Sequence, residues 1–186
     1  MKKILALLIL CTISIAIYSQ ENMVTLSGGY SWANLDDTDL KATGWRINGA
    51  YEFNKGEGSV AQGVSIGYIS LKASENVGVG DTSHVDYKVS SLPVCYVPKY
   101  FFGAVNAKGF VKGAVGFHHT KFERSGSLGS VEAQDWGFYG GVGAGFMYTV
   151  NEKVFINIEY EFAWLSNSSY QSGFMQTAMG GIGFRF

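Results

Sequence analysis

Proline is nearly missing from this chain: there are two in 186 residues, Pro93 and Pro98, close together. Cysteine is as scarce, with Cys11 and Cys95 the only two. Cys11 lies inside the apolar run that opens the chain, so once that run is removed no intramolecular disulfide can form, even in an oxidising compartment. No apolar run beyond the first 17 residues reaches the roughly 20 needed for a helix to span a bilayer. A surplus of positive charge is lacking too: 14 Lys and Arg against 15 Asp and Glu give a formal charge of −1, which removes the usual footprint of a nucleic-acid partner. What the chain has instead is 25 glycines and 15% aromatic residues. Glycine at that frequency disfavours helices and, with many Tyr, Phe and Trp, suits closely packed, tilted strands.

Met1-Lys2-Lys3, the apolar stretch Ile4 to Ile17 and the small residue Ser19 before Gln20 form the pattern of a secretory signal peptide. Residues 1–19 are expected to be removed, leaving 20–186 as one domain. Lipidation at Cys11 is not expected, because Leu8-Ile9-Leu10 precedes it where a lipoprotein signal needs a small residue.

After the leader the chain alternates apolar and small or polar residues, the period-two mark of strands. The spacing predicts eight of them, at about 23–32, 44–53, 59–71, 84–102, 108–122, 134–150, 153–165 and 173–186. The seventh is the clearest, with Val154, Ile156, Ile158, Tyr160, Phe162 and Trp164 against Phe155, Asn157, Glu159, Glu161 and Ala163. The last carries Phe174, Ala178, Ile182, Phe184 and Phe186 on one face, with Gln176 the one polar residue among them. In the fourth, Val85, Tyr87 and Val89 are apolar at odd positions whereas Leu92, Val94, Tyr96, Tyr100 and Phe102 are apolar at even ones. A β-bulge near Ser90-Ser91 is therefore expected, since one extra residue shifts the phase. Glu123 to Ala133 reads as a Ser/Gly loop with charges.

Longer polar connections (about 33–43, 72–83, 123–133 and 166–172) alternate with shorter ones (about 54–58, 103–107 and 151–152). An even strand number with that rhythm predicts an all-β fold: a closed eight-stranded antiparallel up-and-down transmembrane β-barrel, with short periplasmic turns and longer extracellular loops. The register would set two aromatic girdles: Trp32, Trp45, Trp136 and Trp164 at the loop end, and Tyr51, Phe53, Tyr148, Phe184 and Phe186 at the turn end. The opposite face carries Arg46, Glu52, Asp86, Lys88, Lys112, Glu159, Glu161 and Arg185, a charge network expected in the lumen. A soluble lipocalin-like binder has the same length and strand count but would put its charged face in water. About one charge per strand among Gly and Ser is too sparse for that surface.

On this signal peptide, this strand rhythm and the terminal Gly180-Gly181-Ile182-Gly183-Phe184-Arg185-Phe186, the chain resembles the small eight-stranded bacterial outer-membrane β-barrels, the OmpX and OmpA transmembrane-domain class. The resemblance implies the outer membrane of a Gram-negative envelope as location, outer-membrane lipid as surroundings, and the barrel-assembly machinery as a partner during insertion. In that class the terminal strand is the assembly signal, which would fall here to Phe184 and Phe186. No peptidoglycan-binding domain is expected after Phe186.

An eight-stranded barrel has an interior just wide enough for side chains, so the expected role is structural and surface-interacting, through loops whose ligand the sequence does not name. The alternative is a small gated porin-like channel, in which Arg46 or Lys112 would exchange partners among Glu159 and Glu161. An enzyme with a rim site assembled from His84, His118, His119, Ser83, Asp81, Asp86 and Asp135 is less favoured, because their spacing forms no motif. His118 and His119 cannot chelate one metal, because neighbours on a strand point to opposite faces. No catalytic residue, metal or cofactor and no nucleic-acid partner is expected, and the barrel should be a monomer.

Overall fold

The computed structural model describes residues 21–35, 40–54, 59–76, 84–104, 106–126, 129–166 and 170–186. The expected signal peptide, residues 1–19, lies outside them, as do the tips of most loops. Nine antiparallel strands follow in chain order: β1 (Glu21–Leu35), β2 (Lys41–Asn54), β3 (Val60–Asn76), β4 (His84–Tyr96), β5 (Lys99–Gly103), β6 (Ala107–Gly126), β7 (Gly129–Thr149), β8 (Val154–Leu165) and β9 (Tyr170–Arg185). Chain neighbours pair throughout except β4 and β5, which both pair with β3 and β6, and β1 also pairs with β9, from Met23 opposite Arg185 to Leu35 opposite Tyr170. The ring is closed and leaves no sheet edge within its wall, as lipid requires.

Strands β4 and β5 are one stave of this ring. Tyr96 lies opposite Val64 of β3 and Lys99 opposite Ala61, while on the other side Tyr96 lies opposite Val115 of β6 and Lys99 opposite Lys112. The register therefore runs unbroken across the gap, and the wall has eight staves. Pro98 interrupts only because it has no N–H; its carbonyl still accepts from Gly113 N at 3.0 Å.

The expected bulge at Ser90-Ser91 is absent, because pairing with both neighbours keeps one register through these residues. Odd positions face inward along the whole stave, with Val85, Val89, Cys95 and Val97 all buried. The apparent slip has another cause. Below Leu92 the strand runs through hydrocarbon and its apolar side chains point out, whereas above Ser90 it has left the hydrocarbon for the headgroup level and the water beyond, and its apolar side chains point in. The one register irregularity along the β1–β9 seam lies between Ala33 and Leu35.

The lipid-facing surface is formed by residues such as Leu26, Ile47, Ile66, Val142 and Ile158, the last 66% exposed. That sign of the faces rules out the lipocalin arrangement. Inside, side chains stack in three layers. The outer layer is apolar, around Ile69, Leu71, Val89, Leu165 and Met175; the middle is charged; the layer near the short turns is Met23, Phe101, Phe110, Met147 and Phe155. Glycine makes the last layer possible. A Cβ at Gly145 would meet the Phe110 ring at 2.4 Å, and one at Gly183 the Phe155 ring at 2.1 Å, so each ring lies flat on the bare wall beside it.

The expected loop from Glu123 to Ala133 is instead the upper part of a β6–β7 hairpin, paired up to Gly126 opposite Gly129. Glu123 and Glu132 lie directly opposite each other, an unfavourable pair by itself. Lys121 resolves it, with Nζ 2.9 Å from Glu123 and 3.0 Å from Glu132, and Lys88 adds a contact to Glu123 at 3.2 Å. Hydrogen bonds from Lys121 and then Lys88 hold the Glu123 carboxyl below its usual range; Gln134 and then Lys121 do the same for Glu132. Depressed carboxyls contribute to folding above the unfolded value, near pH 4, and cease to as pH falls through the folded value. Amide protection of residues 121–126 and 129–134 should therefore fall on acidification from pH 7 to below pH 4 while the lipid-embedded staves stay protected. Glu123→Gln should flatten that response in hydrogen exchange.

Candidate functional site: an ion-paired lumen

The inward positions of β2, β6 and β8 bring together charges far apart in sequence. Arg46 Nη1 donates to Glu161 Oε1 at 2.6 Å, and Lys112 Nζ lies 2.5 Å from Glu161 Oε2 and 3.0 Å from Glu159 Oε1. Tyr139 OH also donates to Glu161 Oε1, and Arg46 Nη1 reaches the Tyr139 oxygen at 3.0 Å. Glu161 thus accepts from two cations and a phenol while only 1% exposed. Gly143 separates Lys112 from Glu161 in the register, and a Cβ there would stand 2.8 Å from Lys112 Cε. A bare position in the wall makes room for the lysine stem.

Nearer the short turns, Lys99 Nζ lies 2.6 Å from Glu52 Oε1, with the Phe110 ring centroid 4.9 Å from the ammonium. Arg46, Lys99 and Lys112 balance Glu52, Glu159 and Glu161, so the buried charge is formally neutral, as burial of ions demands. Arg185 stands at the turn-side mouth, with Nη2 3.2 Å from Thr149 Oγ1 and 3.8 Å from Met147 Sδ and its guanidinium 5.4 Å from the Phe155 centroid. Between these groups remains a cavity of about 10 Å³, lined by residues including Asn48, Asn157 and Glu159. That is space for a single water molecule.

Of the eight charges expected in the lumen, Arg46, Glu52, Lys112, Glu159 and Glu161 are buried there and Arg185 lies at its mouth. Asp86 and Lys88 are not in the lumen. Their even positions on β4 face outward above the hydrocarbon, where Asp86 pairs with His84 at 3.1 Å and Lys88 with Glu123. The expected phase shift would have turned them inward, and the stave has none. Sequence reasoning missed Lys99, although Tyr96, Tyr100 and Phe102 facing out imply that it faces in. It also passed over Tyr139 as a ligand of Glu161; the clue was one large polar aromatic on an inner face otherwise made of glycine.

Trp45, Tyr51, Trp136, Tyr148, Trp164, Phe184 and Phe186 are exposed on the outer wall, and Trp32 and Phe53 are partly covered. Trp32 packs on Tyr30 and Tyr160, with centroids 5.9 and 6.1 Å away. Phe184 lies opposite Val24 and Val154, and the backbone of Phe186 exchanges two 3.0 Å hydrogen bonds with Asn22, closing the lower end of the seam. Among the described residues considered for a rim enzyme, His84 and Asp86 pair with each other, while His118, His119 and Asp135 are engaged elsewhere. His118 is buried, with Nδ1 2.8 Å from Thr120 Oγ1 and Nε2 2.9 Å from Ser166 O. His119 faces out against Trp136, 4.9 Å between centroids, and Asp135 accepts from the Trp136 backbone N–H at 2.7 Å. Ser83 and Asp81 lie outside the described residues. Among the described residues no three His, Cys, Asp or Glu side chains are grouped to hold a metal ion.

A closed antiparallel ring with an apolar exterior and a neutral, ion-paired interior defines an integral membrane β-barrel. The chain matches the outer membrane protein beta-barrel domain over residues 4–186, and it belongs to that family. It is a bacterial outer-membrane protein. Among solved structures it is similar to Neisserial surface protein A, at 13% identity and a TM-score of 0.62, covering 90% of this chain and 99% of that one. It is also similar to Ail, the attachment invasion locus protein of Yersinia pestis, at 19% identity and 0.55, with coverage of 90% and 99%. The N-terminal barrel domain of Pseudomonas aeruginosa OprF matches at 16% and 0.54, covering 89% and 97%. At such identities the likeness is one of fold. No curated protein matches the sequence.

Removing one partner of a buried pair costs about 3–5 kcal/mol, because the other charge is stranded. Glu161→Ala strands Arg46, leaving Lys112 with Glu159 alone, and should lower stability by that range, seen as a lower urea midpoint and loss of the heat-resistant folded band on a gel. Glu159→Ala leaves Lys112 with Glu161 and should cost much less.

Proposed function

We propose that this protein is a non-conducting, non-enzymatic outer-membrane barrel that supports envelope integrity and offers its outer rim for surface interaction. The observation that carries the reading is the filled lumen. Its buried charges are paired, apolar layers cover them above and below, and the cavity left among the charges is about 10 Å³.

The raised β6–β7 hairpin supports the surface role. Pairing of β7 with β8 begins at Tyr139, so among the described residues Gly129 to Gly137 pair in the sheet only with β6. Val131 is 64% and Trp136 67% exposed on this projection. Ail, a barrel of similar fold, has a crystal structure in complex with the heparin analogue sucrose octasulfate. The same proposal makes this barrel a monomer delivered to the membrane by the barrel-assembly machinery, with Phe184 and Phe186 presented for recognition.

One observation favours a gated channel as the second reading. Lys112 already touches both Glu159 and Glu161, so a small rotation transfers it from one to the other and releases half of the Glu161 cluster. Single-channel recording of the refolded chain in a planar bilayer separates the two. The expected result is silence from protein shown to be inserted. Discrete openings whose frequency rises in Glu161→Gln would replace the sealed-barrel reading with the gated one.

A further inference from the structure

Four consecutive staves repeat one outward-facing pattern. Lys41 stands four residues up the wall from Trp45 on β2, Lys72 from Tyr68 on β3, Lys88 from Leu92 on β4 and Lys121 from Phe117 on β6. An even spacing keeps each lysine on the same face as the lipid-facing residue below it. Four residues of tilted strand raise the charge roughly 10 Å above that residue. The rings below belong to the outer aromatic belt, where Trp45 and Tyr68 pack 5.4 Å apart. Such belts mark the boundary between hydrocarbon and headgroups, so the ammonium groups stand at phosphate depth. Among the described residues the other four staves carry no Lys or Arg at this height, and β7 has Glu132 there. The cationic arc therefore covers one side of the barrel.

Part of the arc is internally compensated, and part is not. Lys88 pairs with Glu123, and Lys121 with Glu123 and Glu132. Asp86, the next acid on β4, is engaged by His84 and by Ser74 Oγ at 2.9 Å. Lys41 and Lys72 have no ion-pair partner among the described residues. Lys72 lies directly opposite Lys88 across β3 and β4. Like charges in that relation repel, and with side chains about 5 Å apart at the wall the two ammonium groups can close on a single anion between them.

We infer that Lys72 and Lys88, flanked by Lys41 and Lys121, form a seat for the phosphate of a phosphorylated glycolipid in the outer leaflet. The lysine stems lie along the wall and their charged ends reach up to the headgroup. Depth selects the ligand, because an anion held at this height beside an apolar wall must have a lipid body below it. The seat gives the barrel a preferred side toward that lipid, a property independent of whether the lumen conducts.

Native mass spectrometry of the full barrel, released from micelles containing either bisphosphorylated lipid A or its dephosphorylated form, tests the seat. The wild type should retain the phosphorylated lipid and not the dephosphorylated one. Each lysine facing an anionic headgroup is worth about five-fold in affinity, so Lys41→Gln/Lys72→Gln, which leaves the ion pairs of Lys88 and Lys121 intact, should reduce retention roughly thirty-fold. Lys153→Gln, at the opposite end of the barrel, should change nothing. Equal retention of the two lipids, or of one lipid by wild type and double variant, would overturn the inference. So would lysine-dependent binding of sucrose octasulfate as tight as that of the lipid, which would make the arc a seat for a soluble polyanion. Should the double variant fail to fold, the comparison of the two lipids on the wild type decides alone.

Discussion

A backbone in hydrocarbon has no water to bond with, and the pairing of β1 with β9 is what satisfies this chain's last open edges. The rest follows from that closure. Once the ring is shut, alternate side chains must point either into lipid or into a space only about as wide as the side chains themselves. The outward set becomes apolar without exception for charge in the lipid-facing band. The inward set becomes a packing problem, solved by placing bare glycine positions beside large groups: Gly143 beside Lys112, Gly145 beside Phe110, Gly183 beside Phe155. Glycine abundance, aromatic abundance and the scarcity of proline are three aspects of one constraint.

Charges in so narrow a space interact strongly, because little water screens them. The barrel meets this by pairing them in one middle layer and covering that layer with Ile69, Leu71 and Leu165 on one side and Phe101, Phe110 and Phe155 on the other. The interior thus resembles the core of a soluble protein in packing while differing in composition. Outside this constraint lie the parts beyond the hydrocarbon: the β6–β7 projection, and the distribution of charge around the rim.

Much of the wall was legible in the sequence because lipid imposes a single rule on it. The alternation along β8 and β9 identifies outward and inward residues without any knowledge of neighbours, and Glu159 and Glu161 follow from it. The reading fails where the rule stops. Above the hydrocarbon apolar side chains turn inward, so Val85, Tyr87 and Val89 mimic a shift of register, and Asp86 and Lys88 were carried into the lumen with it. Strand residues in water need no apolar face, so Glu123 to Ala133 has the composition of a loop although cross-strand ion pairs keep it extended. Lys99 was hidden beside Pro98, whose missing N–H interrupts the ladder without changing the register. Partners across the lumen were out of reach for another reason. Arg46 and Glu161 meet because β1 and β9 adjoin, and no local pattern encodes that neighbourhood.

The double service of Glu161 also shapes how such a sequence can drift. A carboxylate that answers Arg46 and Lys112 together makes each of the three dependent on the other two, so substitutions among them are not independent. Replacing any one alone unbalances the buried charge, whereas exchanging a whole set for well-fitting apolar side chains can be neutral or better. Change in the lumen is therefore expected to arrive in matched groups separated by long intervals, while the lipid-facing wall alters one residue at a time.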